Sequence, residues 1–401
     1  MTGYSFERWT VDAPLTGAAV DRSGRYAAFS GGDGAVRIVA LDTAAPNLSV
    51  WRLTRGAVLA LTADCGEGAF LCGTDEGAVF RVDAEDGPQP LTEPARSWPD
   101  QLVTHPCGGR AIADGPMVRR LDGEGRPSGV LGPHPSTVAG LAFDDAGRQL
   151  AVSHYNGVTI WQLDGPRQAH NLFHRGSHLE MSWRHDGRYV VTATQDKTVH
   201  AWDLRTGDDA SLGQCFNKVR ALGWSADGQW LLASGNDTVS AWPFANDEDD
   251  ADDGDLGDDH LPASAPRMLG RFSEQCISRV SPHPALPLVA AGYHDGGLEL
   301  ISLAAPAARR SLTKPLTEPL TEPLTESLTE ALNGPLSGAL TGPSTEPSTE
   351  SPAEMPAHPV VALGWSPDGD HLIGGDQNRQ VFVCRFDSEW LADLAGLTGA
   401  E

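Results

Sequence analysis

Thirteen histidines, six cysteines and one dense acidic run are the residues here with the chemistry to hold a metal ion or move a proton. A preformed zinc site brings four ligands together, and its sequence signature is paired, closely spaced Cys and His. Cys65, Cys72, Cys107, Cys215, Cys276 and Cys384 are scattered, with no CxxC pair, and no HxH or HExxH occurs. His154, His178, His294 and His358 fall on turns or connections of one face and are the residues a metal would have to use. Isolated histidines in turns carry no such geometry, so no metal site and no cofactor are expected.

The acidic run NDEDDADDGDLGDDH has nine carboxylates between Asp247 and Asp259. An EF-hand loop needs oxygen ligands at its third and twelfth positions, with glycine at the sixth. Taking Gly254 as the sixth puts Ala251 third and His260 twelfth, and neither supplies that oxygen. A solvated acidic loop is the expectation. No nucleophile elbow, phosphate-binding loop or dinucleotide fingerprint appears, so the chain is not expected to be an enzyme.

What positions these residues is a faint repeat. One copy reads LTGAAVDRSGRYAAFSGGDGAVRIVALD from Leu15, and another TVAGLAFDDAGRQLAVSHYNGVTIWQLD from Thr137. Others read HLEMSWRHDGRYVVTATQDKTVHAWDL from His178, VRALGWSADGQWLLASGNDTVSAWPF from Val219 and VVALGWSPDGDHLIGGDQNRQVFVCRF from Val360. A copy from Ala57 and two weaker ones, from Gln101 and Ile277, complete the series. Each has three short runs of alternating apolar residues separated by Gly, Asp or Asn turns, and a fourth, weaker run follows. That pattern predicts four antiparallel strands per unit. The turn glycines Gly24, Gly66, Gly108, Gly147, Gly187 and Gly228 are 42, 42, 39, 40 and 41 residues apart. Four strands at this period read as one β-propeller blade.

Trp202-Asp203 at the end of DKTVHAWDL, with the WSADG and WSPDG turns, resembles the WD40 repeat. The resemblance covers nearly the whole chain. It implies an all-β propeller of eight blades, or seven if the weak copy at 97–123 is not a blade. It also implies closure by a strand from the other end of the chain: SFERWTV, residues 5–11, is expected to pair with the strand around Val381–Arg385. The domain reading is one propeller over 1–401. Within it lie an acidic insert at 245–266, a Pro/Leu/Thr/Glu insert at 314–356 and a short helical tail at 387–401, capped by Ser388 with Trp390, Leu394 and Leu397 on one face.

The resemblance further implies a buried hydrogen-bond chain linking a His, a Ser or Thr, an Asp and the Trp of one repeat. His174, Thr192, Asp196 and Trp202 fill those places as a structural tetrad; His134 and Trp161 occupy two of them in the preceding copy, where Tyr155 replaces the Asp. WD40 propellers typically hold protein partners, and Tyr155, Tyr293 and Arg379 are the expected contacts. A net charge of −25 argues against nucleic acid and anionic membrane. No secretory signal or apolar span is present, so a monomeric cytoplasmic scaffold is expected. The stretches SHYNGVTIW, GSHLEMSWRHDGRYVV, SGNDTVSAWPF and PLVAAGYHDG are also similar to a group of small bacterial WD40 proteins, often encoded near zinc-uptake or metallochaperone-GTPase genes. That likeness implies an alternative role in metal homeostasis.

Overall fold

The computed structural model describes residues 3–43, 47–165, 168–244, 261, 265–271, 275–313 and 358–397. The acidic run and the Pro/Leu/Thr/Glu tract lie outside these residues. Strand β1 spans Tyr4–Thr10. The first sheet is β2 (Leu15–Val20), β3 (Tyr26–Gly31), β4 (Ala35–Ala40) and β5 (Ser49–Arg52). The second is β6 (Val58–Ala63), β7 (Ala69–Thr74), β8 (Val79–Asp83) and β9 (Gly87–Pro90). The third is β10 (Leu102–Thr104), β11 (Arg110–Asp114), β12 (Met117–Leu121) and β13 (Pro127–Leu131). The fourth has six strands: β14 (Gly140–Phe143), β15 (Gln149–Gln162), β16 (Gln168–Trp183), β17 (Tyr189–Thr194), β18 (Thr198–Asp203) and β19 (Asp209–Gln214). The fifth is β20 (Leu222–Trp224), β21 (Trp230–Ala233), β22 (Val239–Pro243) and β23 (Arg267–Leu269). The sixth is β24 (Ile277–Pro282), β25 (Leu288–Tyr293), β26 (Leu298–Ser302) and β27 (Arg309–Ser311). The seventh joins β28 (Val360–Trp365), β29 (His371–Asp376) and β30 (Gln380–Phe386) to β1. Helix α1 (Ser388–Leu394) follows.

The sheet count corrects the eight-blade expectation: the propeller is built of seven sheets. The reason is not the weak copy at 97–123, which contains the strands of the third sheet. The copies at Thr137 and His178 instead share the six-stranded sheet. Strand β15 continues through Asn156 and Gly157, and β16 through Arg175 and Gly176, where other copies break into turns. Positive φ at Asn156, Gly157 and Gly176 lets these strands bend without ending, and Tyr155 pairs with Ser177 across the join.

Burial is greatest in the middle of each sheet and lowest at its outer edge. Second strands such as β7 and β17 are buried at every residue, because both faces meet neighbouring sheets. Fourth strands are exposed edges: β27 is exposed throughout and β13 at four of its five residues. They are short, and Pro88 and Pro90 in β9 and Arg309 and Arg310 in β27 discourage edge-to-edge pairing.

The innermost strands, β2, β6, β10, β14, the second half of β16, β20, β24 and β28, touch in that order, and β28 returns to β2. Closure comes from β1, antiparallel to β30 from Tyr4↔Phe386 to Thr10↔Gln380. Trp9 buries its indole among Phe29, Ile373 and Val381, and Phe6 stacks on Phe382 at 5.4 Å. Helix α1 seals the same seam. Its N-cap is Asp387, whose carboxylate accepts from the Trp390 amide at 3.0 Å, so the cap lies one residue before Ser388. Trp390 stacks on Phe386 and touches Tyr4, Leu391 and Leu394 are buried, and Leu397 is 60% exposed and off the expected face.

The seam carries the fold's cooperativity. Trp9→Ala is expected to cost about 3–5 kcal/mol, the usual range for emptying an aromatic core position. Denaturant unfolding checks this, and a cost below about 1 kcal/mol would show that closure does not limit stability.

Candidate functional site

The inner strands repeat one backbone device. Each of β2, β6, β16, β24 and β28 has its register shifted where its pairing with the second strand of its unit begins, at Leu15/Gly17, Val58/Ala60, His178/Glu180, Ile277/Arg279 and Val360/Ala362. A β-bulge re-aims the side chain beside it. The residue past the shift is small in three strands, namely Gly17, Ala60 and Ala362. In the other two it is charged: Glu180 and Arg279.

Glu180 and Arg279 stand on the inner strands that flank β20. Arg220, two residues before β20, lies between them at the rim. Depth grades from solvent inward: Arg220 is exposed, while Arg279 and Glu180 are half-buried. Burial pushes the Glu180 carboxyl up to about 7, against the opposing pull of Arg279 and Arg220. Burial also lowers the Arg279 guanidinium, Glu180 raises it and Arg220 lowers it further. His294, exposed in the turn after β25, is lowered by burial and then by Arg220 and Arg279, with Asp295 opposing. Arg279 Nη1 donates to the Ser278 carbonyl at 2.9 Å. Among the described residues no direct ion pair is found for Arg220, Arg279 or Glu180. The three charges are close enough to perturb one another.

The same face carries exposed aromatic rings. Trp98 (67% exposed) lies between β9 and β10, Phe173 (72%) where β16 crosses toward the inner wall, and Phe216 (70%) between β19 and β20. Tyr155, 48% exposed, sits at the bend of β15. The Phe216 loop is anchored: its amide donates to Asn236 Oδ1 at 2.8 Å, and its carbonyl accepts from Lys197 Nζ at 2.7 Å. An open groove of about 470 Å³ beside Phe173 is lined by His134, His154, Asn156, Thr159 and Asn171.

The expected tetrad residues are distributed differently. The side chain bonded to Thr192 is that of His178, with Nδ1 2.7 Å from Oγ1. His178 Nε2–H donates to the His174 carbonyl at 2.9 Å, which makes Nδ1 the acceptor of the Thr192 hydroxyl. His174 stacks on His200 at 3.7 Å, and His200 is pushed down to about 4 by burial and by His174, despite Asp209 at 2.9 Å. Trp202 is buried with its ring 5.7 Å from that of His178. Asp196 is exposed. In the neighbouring copy the Trp161 indole donates to His134 Nε2 at 2.9 Å, and His134 Nδ1–H donates to the Pro116 carbonyl.

The four histidines considered for a metal do not converge. His154 is buried, with Nδ1 on the Tyr155 carbonyl and Nε2 2.9 Å from Thr159 Oγ1. His178 has both nitrogens in hydrogen bonds, His294 is exposed and His358 lies near Asp376. Among the described residues no group of three or more His, Cys, Asp or Glu is arranged to hold a metal ion. Of the expected contacts, Tyr155 and Arg379 are exposed, but Tyr293 is fully buried and its hydroxyl donates to Glu299 at 2.8 Å. Glu180, Arg220 and Arg279 were not singled out from sequence. The usable signal was two charges at aligned positions where other copies have Gly or Ala.

The family model described as "WD domain, G-beta repeat" matches residues 172–203, 211–242 and 350–384. Three curated relatives illustrate the likeness. The "Chromatin assembly factor 1 subunit FAS2 homolog" of Oryza sativa subsp. japonica is 30% identical over 116 residues, 27% of this chain and 23% of its own length. The "F-box-like/WD repeat-containing protein TBL1X" of Mus musculus is 32% identical over 77 residues, 19% of this chain and 15% of its own. The "Poly(A)+ RNA export protein" of Schizosaccharomyces pombe is 28% identical over 114 residues, 25% of this chain and 32% of its own. The chain thus spans a third or less of each. All three are eukaryotic, in contrast to the bacterial likeness noted from sequence.

Titration tests the site. Glu180's folded pKa lies above the value near 4.5 of an unfolded chain, so the native state holds the extra proton between these values. Its contribution is present below pH 4.5 and lost as pH rises to about 7. Glu180→Gln is therefore expected to leave Tm unchanged at pH 4.5 and to raise it at pH 8 by about 2 °C or more. Equal Tm differences at both pH values would place Glu180 in an ordinary solvated setting.

Proposed function

We propose that this chain, a WD40-repeat β-propeller, is a non-catalytic scaffold that docks a protein partner on the face carrying the turns between second and third strands and the connections between sheets. The observation that supports it is the set of solvent-exposed aromatic rings on that face, Trp98, Tyr155, Phe173 and Phe216. Aromatic side chains dominate the energetics of protein interfaces. The named relatives take part, by their printed descriptions, in chromatin assembly and RNA export, which fits a scaffold role without naming this chain's partner.

Binding rather than catalysis fits the residues around the charged mouth. Ser278, the hydroxyl nearest in sequence to Arg279, spends its proton on the Gly292 carbonyl at 3.0 Å. A net charge of −25 keeps nucleic acid and anionic membrane outside this reading. Six free cysteines fit a reducing, cytoplasmic setting, and among the described residues no helix is long and apolar enough to cross a membrane. The exposed outer strands are short and broken by Pro or charge, which fits a monomer. The alternative role in bacterial zinc or metal homeostasis draws no support from the histidines, since His154 and His178 use their ring nitrogens in buried hydrogen bonds.

Affinity purification from the native host tests the docking face. A protein captured by the wild-type chain is expected to be lost from the Trp98→Ser/Phe173→Ser/Phe216→Ser variant. It should be kept by Arg205→Glu, on the opposite face. Loss only from the second variant would move the interface to the other side of the ring.

A further inference from the structure

We propose that the groove beside Phe173 takes an extended, uncharged peptide segment of the protein partner, added as a further strand along Gln168–Phe173. The proposal rests on the docking reading for the partner and names the place and form of the contact.

A free edge carries the first step. Gln168–Phe173, the outer half of β16, pairs with Gly157–Gln162 of β15 on one side, and pairing with β17 begins only at His178. Its other side has no strand partner among the described residues. Exposed edges are ordinarily blunted by proline or by charge. Every other outer strand follows that rule: β5 carries Arg52, β9 Pro88, β13 Pro127, β19 Asp209, β23 Arg267, β27 Arg309 and the closing β1 Glu7. Gln168–Phe173 reads QAHNLF, with no proline and no Asp, Glu, Lys or Arg. An unblunted edge is a ready template for a strand from another chain.

The groove carries the second step. Side chains alternate between the faces of a strand, so Ala169, Asn171 and Phe173 share one face. Trp161 and Thr159 lie directly across from Ala169 and Asn171. All five line the groove of about 470 Å³, together with Pro133 and Pro135, which follow the third sheet. A strand added to this edge would set its alternate side chains on the same face as the groove.

Chemistry sets the ligand. No Asp, Glu, Lys or Arg lines the groove, although the chain carries a net −25. A charged side chain entering it would lose water without gaining an opposite charge. Thr159 Oγ1 donates to Asn171 Oδ1 at 2.9 Å, and the Gly176 amide donates to Asn156 Oδ1 at 3.3 Å. Each carboxamide oxygen thus has a donor within the protein, and the two Nδ2 groups remain to donate to a ligand. Amide donors beside an exposed ring suit peptide carbonyls flanked by uncharged side chains.

The test uses the full 15N-labelled chain and the capped peptide acetyl-Thr-Val-Ala-Val-Thr-amide, followed through the backbone amide signals of Gln168–Phe173. Saturable shifts at this edge are expected below about 5 mM peptide, the range of a weak generic strand. Two N-methylated forms, modified on the odd and on the even residues, block the two edges of the peptide in turn. One form is expected to bind about tenfold more weakly and the other to keep its affinity. Ala169→Lys, which puts a charge on the edge, should weaken the parent peptide about tenfold. Asn171→Asp, at an exposed position and able to keep the Thr159 bond, gives the same reading if Ala169→Lys does not fold. No saturable shift at this edge, equal binding of both N-methylated forms, or unchanged binding in both chain variants would overturn the proposal. Maltotriose binding tighter than the peptide would overturn it in favour of a neutral glycan. A concentration-dependent dimer abolished by Ala169→Lys would overturn it in favour of a second copy of this chain. If the partner is lost from the aromatic variant but kept by Ala169→Lys, the docking reading stands and the groove fails. If the peptide binds while the aromatic variant keeps its partner, the docking reading fails and the groove stands.

Discussion

Everything in this molecule depends on one antiparallel pairing between its two ends. Strand β1 adds seven residues to β30, and side chains lock the register from both directions. Gln380 Nε2 donates to Thr10 Oγ1 at 2.9 Å, and Arg385 reaches across to the carbonyl of Leu41 in the first sheet. Without that pairing the seventh sheet would end in an unprotected edge. The inner strands would also lose their fixed distances around the axis. Glu180, Arg220 and Arg279 come from the fourth, fifth and sixth sheets, about a hundred residues from end to end. Their juxtaposition is a property of the closed ring and of no local segment.

Between neighbouring sheets a second contact recurs on the opposite face. A histidine in one inter-strand turn packs on the turn glycine of the next copy. A Cβ on Gly147 would meet His105 at 2.5 Å, one on Gly228 would meet His185 at 2.6 Å, and one on Gly369 would meet His283 at 2.3 Å. Each of these glycines also has positive φ, so it is required twice over. His105 and His283 add a ring hydrogen bond to the partner turn, to the carbonyls of Asp145 and Gly369. Nearby, Arg110 clamps the buried Asp64 with two bonds of 2.7 and 2.9 Å, tying the third sheet to the second. Three of the thirteen histidines thus serve inter-sheet packing, which accounts for a richness that at first suggests metal chemistry.

The rhythm of strands and turns was legible because it is local: alternation and turn glycines are written within a few residues. The closing strand was legible too, since the last copy lacks a fourth strand and the first has one to spare. The sheet count was not, because it depends on whether β15 and β16 break or bend at Gly157 and Gly176, and glycine permits both. The histidine bonded to Thr192 was misplaced by one helical-looking interval: the register shift between His178 and Glu180 sets which side chain points inward, and a bulge leaves no mark in composition. Tyr293 was expected as an exposed contact, but it closes β25 and is buried with its hydroxyl on Glu299. The turn glycine near Gly66 shows the same limit, since the positive φ falls at Gly68.

The charged mouth was illegible for a different reason. Glu180 and Arg279 look like solvent-facing residues of alternating strands, and only the ring sets their strands on either side of β20. Their cost is what makes them informative. Elsewhere the inner wall follows the rule that closely approaching strands carry small residues, and Gly17, Ala60 and Ala362 obey it. Arg279 and Glu180, a carboxyl pushed toward neutrality, break that rule in one sector, and no direct ion pair of theirs is found among the described residues. Departures from local consistency that stability alone does not explain concentrate where a protein meets its ligand. Glu180 and Arg279 are therefore the charged departure from an inner wall that carries small residues at the same bulge position in β2, β6 and β28.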